Sequence, residues 1–124
     1  MNVKNKPLNV KNKPLEVCGT KPSTGIFRDG YCRTNYADVG KHTVCAQVTD
    51  DFLEYTKGKG NDLSTPRRSF PGLKNGDNWC LCALRWKEAK KVGRAPPVIL
   101  DATHKKTLKF INKKDLQMSS IGIF

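Results

Sequence analysis

Nowhere in its 124 residues does the chain carry an apolar run approaching the roughly 20 residues that a membrane helix requires, so no membrane partner is expected. No apolar segment follows the basic N-terminus, so a secretory signal is not expected either. The reading is a cytoplasmic protein in a reducing compartment. Missing too are the Gly-x-Ser-x-Gly elbow, the phosphate-cradling Walker loop and the dinucleotide-binding glycine fingerprint. The familiar hydrolase, NTPase and dehydrogenase classes therefore have no support, and no cofactor is expected.

Acidic side chains are scarce, 11 against 23 Lys and Arg, giving a net charge of +12. From Arg85 through Lys114 there are ten basic residues against Glu88 and Asp101. Charge of this kind attracts polyanions in general, so nucleic acid is a possible partner by charge alone. Aromatic residues there are too few to build a stacking platform for single strands.

What is present fits one domain with a single modest core. The sequence opens on an exact tandem repeat, Asn2 to Leu8 and again Asn9 to Leu15, in which Pro7 and Pro14 forbid a continuous helix. Residues 1–14 are expected to be a flexible basic tail, 15–118 the globular domain and 119–124 a short C-terminal tail. Residues 18–38 have the Gly, Pro, Asp and Asn content of loops. A strand is expected over 42–48, followed by a helix capped by Thr49, with Asp50 and Asp51 in its first turn and Val48, Phe52 and Tyr55 on one face. Residues 61–77 form a long irregular loop, of the length that is usually functional or mobile. A strand over 79–82 leads into a helix over 83–92 with Leu84, Trp86 and Ala89 as buried candidates and Gly93 as its stop. Residues 98–100 read as a central strand and 108–111 as another, and Asn112 caps a last helix holding Leu116. The fold class is α/β in the broad, α+β sense: a small mixed sheet, helices packed on it, and long irregular loops rich in Gly and Pro.

Several separate strings resemble one family when taken in order. They are Thr24-Gly25-Ile26-Phe27-Arg28-Asp29-Gly30, His42-Thr43-Val44-Cys45-Ala46, Gly60-Asn61-Asp62-Leu63-Ser64-Thr65-Pro66 and Phe70-Pro71-Gly72-Leu73. Gly76-Asp77-Asn78-Trp79-Cys80-Leu81-Cys82-Ala83, Arg85-Trp86 and Ala102-Thr103-His104 complete the set. Together they resemble a small bacterial and plant family, the domain of unknown function "two-two-three-seven", from about Val10 to the last helix. The resemblance implies a structural class without an established activity. This chain departs from the family pattern in its extra N-terminal heptad, in a shorter segment between Pro66 and Phe70, and in Tyr31, where members often carry a second cysteine.

Five cysteines are an odd number, so at least one stays unpaired, and a disulfide framework is the poorer reading for a cytoplasmic chain. Cys80 and Cys82 lie two apart on a strand and suit a pair of metal ligands. His42 and Cys45, three apart, point to opposite faces if their segment is a strand. Metal is not favoured; the candidates for a zinc-stabilised module are Cys80, Cys82, Cys45 and His42. Cys45 and Cys82 precede helices, whose N-termini favour thiolates, so they are the candidate nucleophiles, with His42 or His104 as base. Against this stands simple burial among Val, Leu and Ala. Arg28 and Asp29, together with Asn61, Asp62, Ser64 and Thr65, are the candidate ligand-binding residues, although such short polar groups also build turns. The functional expectation is binding of a small ligand or protein partner at a polar site lined by Cys and His, with catalysis open. A basic nucleic-acid-associated protein and a zinc-stabilised module are the alternatives.

Overall fold

The computed structural model describes residues 7–121. Its centre is one antiparallel pair, β1 (Val44–Gln47) and β2 (Asn78–Leu81), with Cys45 opposite Cys80. Two helices follow the strands directly, α1 (Asp50–Gly58) and α2 (Ala83–Lys91), and α3 (Lys113–Met118) comes near the end of the chain. This is a small α+β fold.

Alternation along the strands separates two faces. Val44, Ala46, Val48, Trp79 and Leu81 face the main core, where α1 contributes Phe52 and Leu53 and α2 contributes Ala83, Trp86 and Ala89. Cys45 and Cys80 face the other way, into a smaller cluster with Cys18, Cys32 and Ala102. Thr49 caps α1 as expected, its hydroxyl accepting from the Phe52 amide at 3.1 Å. Asn112 caps α3 by accepting from the Lys114 amide at 2.8 Å. Trp86, fully buried, donates its indole N–H to the Pro96 carbonyl at 3.0 Å. Leu84, expected inside, is 59% exposed, because it sits on the solvent side of α2 away from Trp86 and Ala89.

The sheet has fewer strands than the sequence suggests. Residues 97–99 do lie along the outer edge of β1, with the Gln47 amide donating to the Pro97 carbonyl and the Ile99 amide donating to the Cys45 carbonyl. Pro96 and Pro97 have no N–H to extend that ladder, so only an isolated bridge forms at Val98. Leu100–Ala102 and Lys105–Lys109 are 3-10 helices, and the second replaces the strand expected at 108–111. Thr107 and Ile111 are the buried residues there, four apart, and the Ile111 amide donates to the Thr107 carbonyl.

Two further expectations are corrected. Cys18–Cys45 and Cys32–Cys80 are disulfides, and Cys82 is the free cysteine. An odd count requires one unpaired thiol but does not prevent the other four from pairing. The strand register puts Cys45 beside Cys80, and each then meets a loop cysteine. The cytoplasmic expectation loses the support it drew from the cysteine count. The N-terminal boundary also moves, since Asn9 and Val10 are buried and the Asn9 side chain donates to the Asp101 carbonyl at 3.0 Å. The second copy of the heptad is packed against residues 101–104, whereas residues 1–6 and 122–124 of the expected tails lie outside the described residues.

Candidate functional site

β2 pairs with β1 along one edge. The other edge borders a cavity of about 410 Å³, lined by Arg28, His42, Asn61, Arg67, Trp79 and Cys82 among others. The loop opposite this edge begins at Thr24, which is fully buried and accepts the Cys80 amide on its hydroxyl at 2.8 Å. That bond satisfies an edge donor that would otherwise call for a third strand. Gly25 then turns with φ +92, where a Cβ would run into the Tyr31 carbonyl, so this position demands glycine. The turn brings Arg28 over the Trp79 ring, 5.1 Å from its centroid, with one guanidinium N–H on the Gly25 carbonyl at 2.7 Å. Across the cavity, Arg67 lies over Phe70, its guanidinium 5.9 Å from the ring centroid, and Phe70 in turn packs edge-on against Trp79.

His42 and Cys82 both line the cavity, near the same end of the strand pair. One step beyond the Val44–Leu81 pair, the Ala83 amide donates to the Lys41 carbonyl at 3.0 Å, tying the residue after Cys82 to the residue before His42. Asp38 anchors the imidazole: His42 Nδ1 lies 2.7 Å from Asp38 Oδ1, and Oδ2 accepts from the His42 amide at 2.9 Å and from the Thr34 hydroxyl at 3.0 Å. The Asp38 side chain is only 2% exposed. Burial pushes its carboxyl pKa up, but the hydrogen bonds from His42 and Thr34 outweigh that and hold it below the ordinary value. An ionised Asp38 can only accept, so Nδ1 carries a proton, and in the neutral ring Nε2 is then the acceptor. Cys82 immediately precedes α2 and makes no capping bond with its side chain.

The sequence-derived candidates divide among several places. Arg28, Asn61, His42 and Cys82 share the cavity wall, with the Asn61 side chain held by the Thr56 hydroxyl at 3.0 Å. Asp29 turns away, accepting the Tyr31 amide at 3.1 Å and pairing with Arg33 at 3.0 Å. Asp62 closes a turn on itself. Its carboxylate accepts the Ser64 and Thr65 amides and the Thr65 hydroxyl, and this hydroxyl bond is the main reason its pKa falls to about 2. Ser64 and Thr65 serve that turn. His104 is separate, on a shallow apolar groove with Leu8 and Leu108. Its Nδ1 accepts the Lys106 amide at 2.9 Å, and burial, then the charge of Lys106, lowers its pKa.

The metal candidates also separate, since Cys45 and Cys80 are tied up in disulfides while His42 and Cys82 on the cavity wall are not. Among the described residues, the sulfurs of Cys18, Cys32 and Cys45 lie within 4.8 Å of one another. No helix among the described residues is long and apolar enough to cross a membrane. Asp38 and Arg67 were not singled out from the sequence. The four-residue spacing from Asp38 to His42 was the one signal for Asp38, and nothing local marks Arg67.

No curated protein matches the chain. The family model described as an uncharacterized protein conserved in bacteria, DUF2237, matches residues 8–120, nearly the whole chain. The strings quoted from residues 24–104 all fall inside that match, and the chain belongs to the DUF2237 family.

Proposed function

We propose that this chain binds a small anionic molecule in the cavity beside β2 and offers it Cys82 as a nucleophile, with His42 as base. The observation that carries this reading is the meeting, on one wall, of the free cysteine with a histidine anchored by a buried aspartate. Asp38 fixes the tautomer in which Nε2 can take the thiol proton, the division of labour used by Cys–His nucleophiles in general. Arg28 and Arg67 supply the charge. A guanidinium has five N–H donors, more than their internal contacts use, and its fork matches carboxylate or phosphate. Arg28 stands over the Trp79 ring and Arg67 over the Phe70 ring, Arg67 also pairing with the Asp62 carboxylate at 3.7 Å, so Arg28 is the less neutralised of the two. Cys82 is unpaired while the other four cysteines are bridged, which leaves it as the thiol that this reading uses. The nucleic-acid alternative has the charge of residues 85–114 as its sole support.

Alkylation with two reagents of similar size provides the test. Iodoacetate should modify Cys82 faster than iodoacetamide by about fivefold to tenfold, relative to their ratio on free cysteine, as about 1 kcal/mol of attraction would give. Replacing Arg28 and Arg67 with Gln should return the ratio to that of free cysteine. Equal ratios in the native protein and free cysteine would overturn the anionic reading. A Cys82 rate unaffected by His42→Gln would remove the base.

A further inference from the structure

The four disulfide-bonded cysteines belong to one connected group of sulfurs. Cys45 and Cys80 stand opposite each other at the centre of the strand pair. The Cys45 amide donates to Thr103 Oγ1 and its carbonyl accepts from Ile99, so neither group points at β2. Cys45 and Cys80 are therefore the non-hydrogen-bonded kind of pair, in which side chains approach most closely. Although Cys32 is bonded to Cys80, its sulfur lies within 4.8 Å of both sulfurs of the other bridge, Cys18–Cys45.

Access to this group is confined. Cys18, Cys32, Cys45 and Cys80 are 4%, 0%, 0% and 2% exposed, so a reductant in solution has little direct access to them. Cys82 is half-buried, unpaired and on the cavity wall, and the wall also includes Cys80. One intervening residue keeps the Cα atoms of Cys80 and Cys82 within about 7 Å, close to the span that a disulfide bridges.

We infer that the five cysteines form a thiol–disulfide relay, entered from the cavity at Cys82 and carried between the two buried bridges by Cys32. Cys82 loses its proton to the base and attacks Cys80 Sγ. The Cys80–Cys82 bond forms, the Cys32–Cys80 bond breaks, and the electron pair leaves on Cys32 as a thiolate. Cys32 then attacks the Cys18–Cys45 bridge, bonds to one of its sulfurs and releases the other, which takes up a proton. One thiol and two disulfides are present before and after, so the exchange needs no oxidant. Net reduction uses an external dithiol. One of its thiols attacks Cys82 Sγ of the Cys80–Cys82 bridge to give a mixed disulfide, and its second thiol closes on the first, leaving Cys82 free. Two electrons enter the protein, and the dithiol departs as a disulfide.

This relay shares Cys82 with the anion-binding reading but does not require the anion. Oxidised full-length protein is treated anaerobically with substoichiometric dithiothreitol, quenched with acid and N-ethylmaleimide, and its linkages are mapped by mass spectrometry. A Cys80–Cys82 linkage is expected, with label appearing on Cys32, Cys18 or Cys45. Cys82→Ser should slow the reduction of both bridges at least tenfold. A Cys18→Ala/Cys45→Ala double variant isolates the first step and should still distribute label between Cys82 and Cys32. Label confined to Cys82 with native pairing, together with reduction of Cys82→Ser at the native rate, would overturn the relay. An iodoacetate preference at Cys82 with fixed linkages would leave the anion-binding reading standing alone.

Discussion

Cys80 and Cys82 are separated by one residue, yet they occupy opposite chemical settings. Cys80 lies within β2, opposite Cys45, bonded to Cys32 and 2% exposed. Cys82 sits just beyond the strand, half-buried and free, beside a histidine and two arginines. The residue type is the same and the flanking residues are similarly apolar. What differs is the partner that the fold supplies: on one side a loop cysteine sealed under Ile99 and Ala102, on the other an open strand edge. Sulfur in this protein is bridged where a loop cysteine meets a strand cysteine, and free at Cys82, where no loop cysteine does.

The comparison is tested most strongly by removing each side in turn. Replacing Cys32 and Cys80 together with Ala should cost about 4 kcal/mol, and Cys18 and Cys45 about 3.5, from the loops of 48 and 27 residues that the bridges close. Cys82→Ala should change stability by less than about 1 kcal/mol, and urea midpoints compare all three. Equal losses at Cys80 and Cys82 would erase the distinction between sealed and open sulfur. Thr24→Val strikes the boundary between the two settings by leaving the buried Cys80 amide without an acceptor, at an expected cost of about 1–3 kcal/mol in the same urea assay.

A smaller effect concerns the open side alone. Asp38→Asn should slow Cys82 alkylation about tenfold, equivalent to about 1.4 kcal/mol, because a neutral amide no longer dictates the His42 tautomer. Stability measured in parallel separates this from unfolding.

The smallest effect comes from His104. Its folded pKa lies below the unfolded value of 6.5, so the unfolded state binds more protons as pH falls. Its contribution is fully present above pH 6.5 and is lost as pH falls through the folded pKa. His104→Asn should flatten that part of the stability profile without altering Cys82 alkylation, since His104 lies outside the cavity.

Local signals in the sequence were legible wherever a single element settles the outcome. The Thr49 and Asn112 caps, the Trp86 and Ala89 face of α2 and the two strand positions needed only neighbouring residues to be read. The site was legible in part. Arg28, Asn61, His42 and Cys82 meet, whereas Asp29, Asp62, Ser64 and Thr65 spend their polar groups on their own turns. An Asx turn and a ligand-binding carboxylate use the same residues, so composition does not separate them.

By itself the sequence determined the α+β class, the two strand–helix units and the presence of one unpaired thiol, because periodicity, capping and parity are properties of short segments or of a count. Only the tertiary structure decided which thiol that is. It set Cys18 on Cys45 and Cys32 on Cys80, and turned His104 away from the cavity. Such choices depend on contacts between segments tens of residues apart and on which edge of a strand is covered, and no local pattern of residues encodes either.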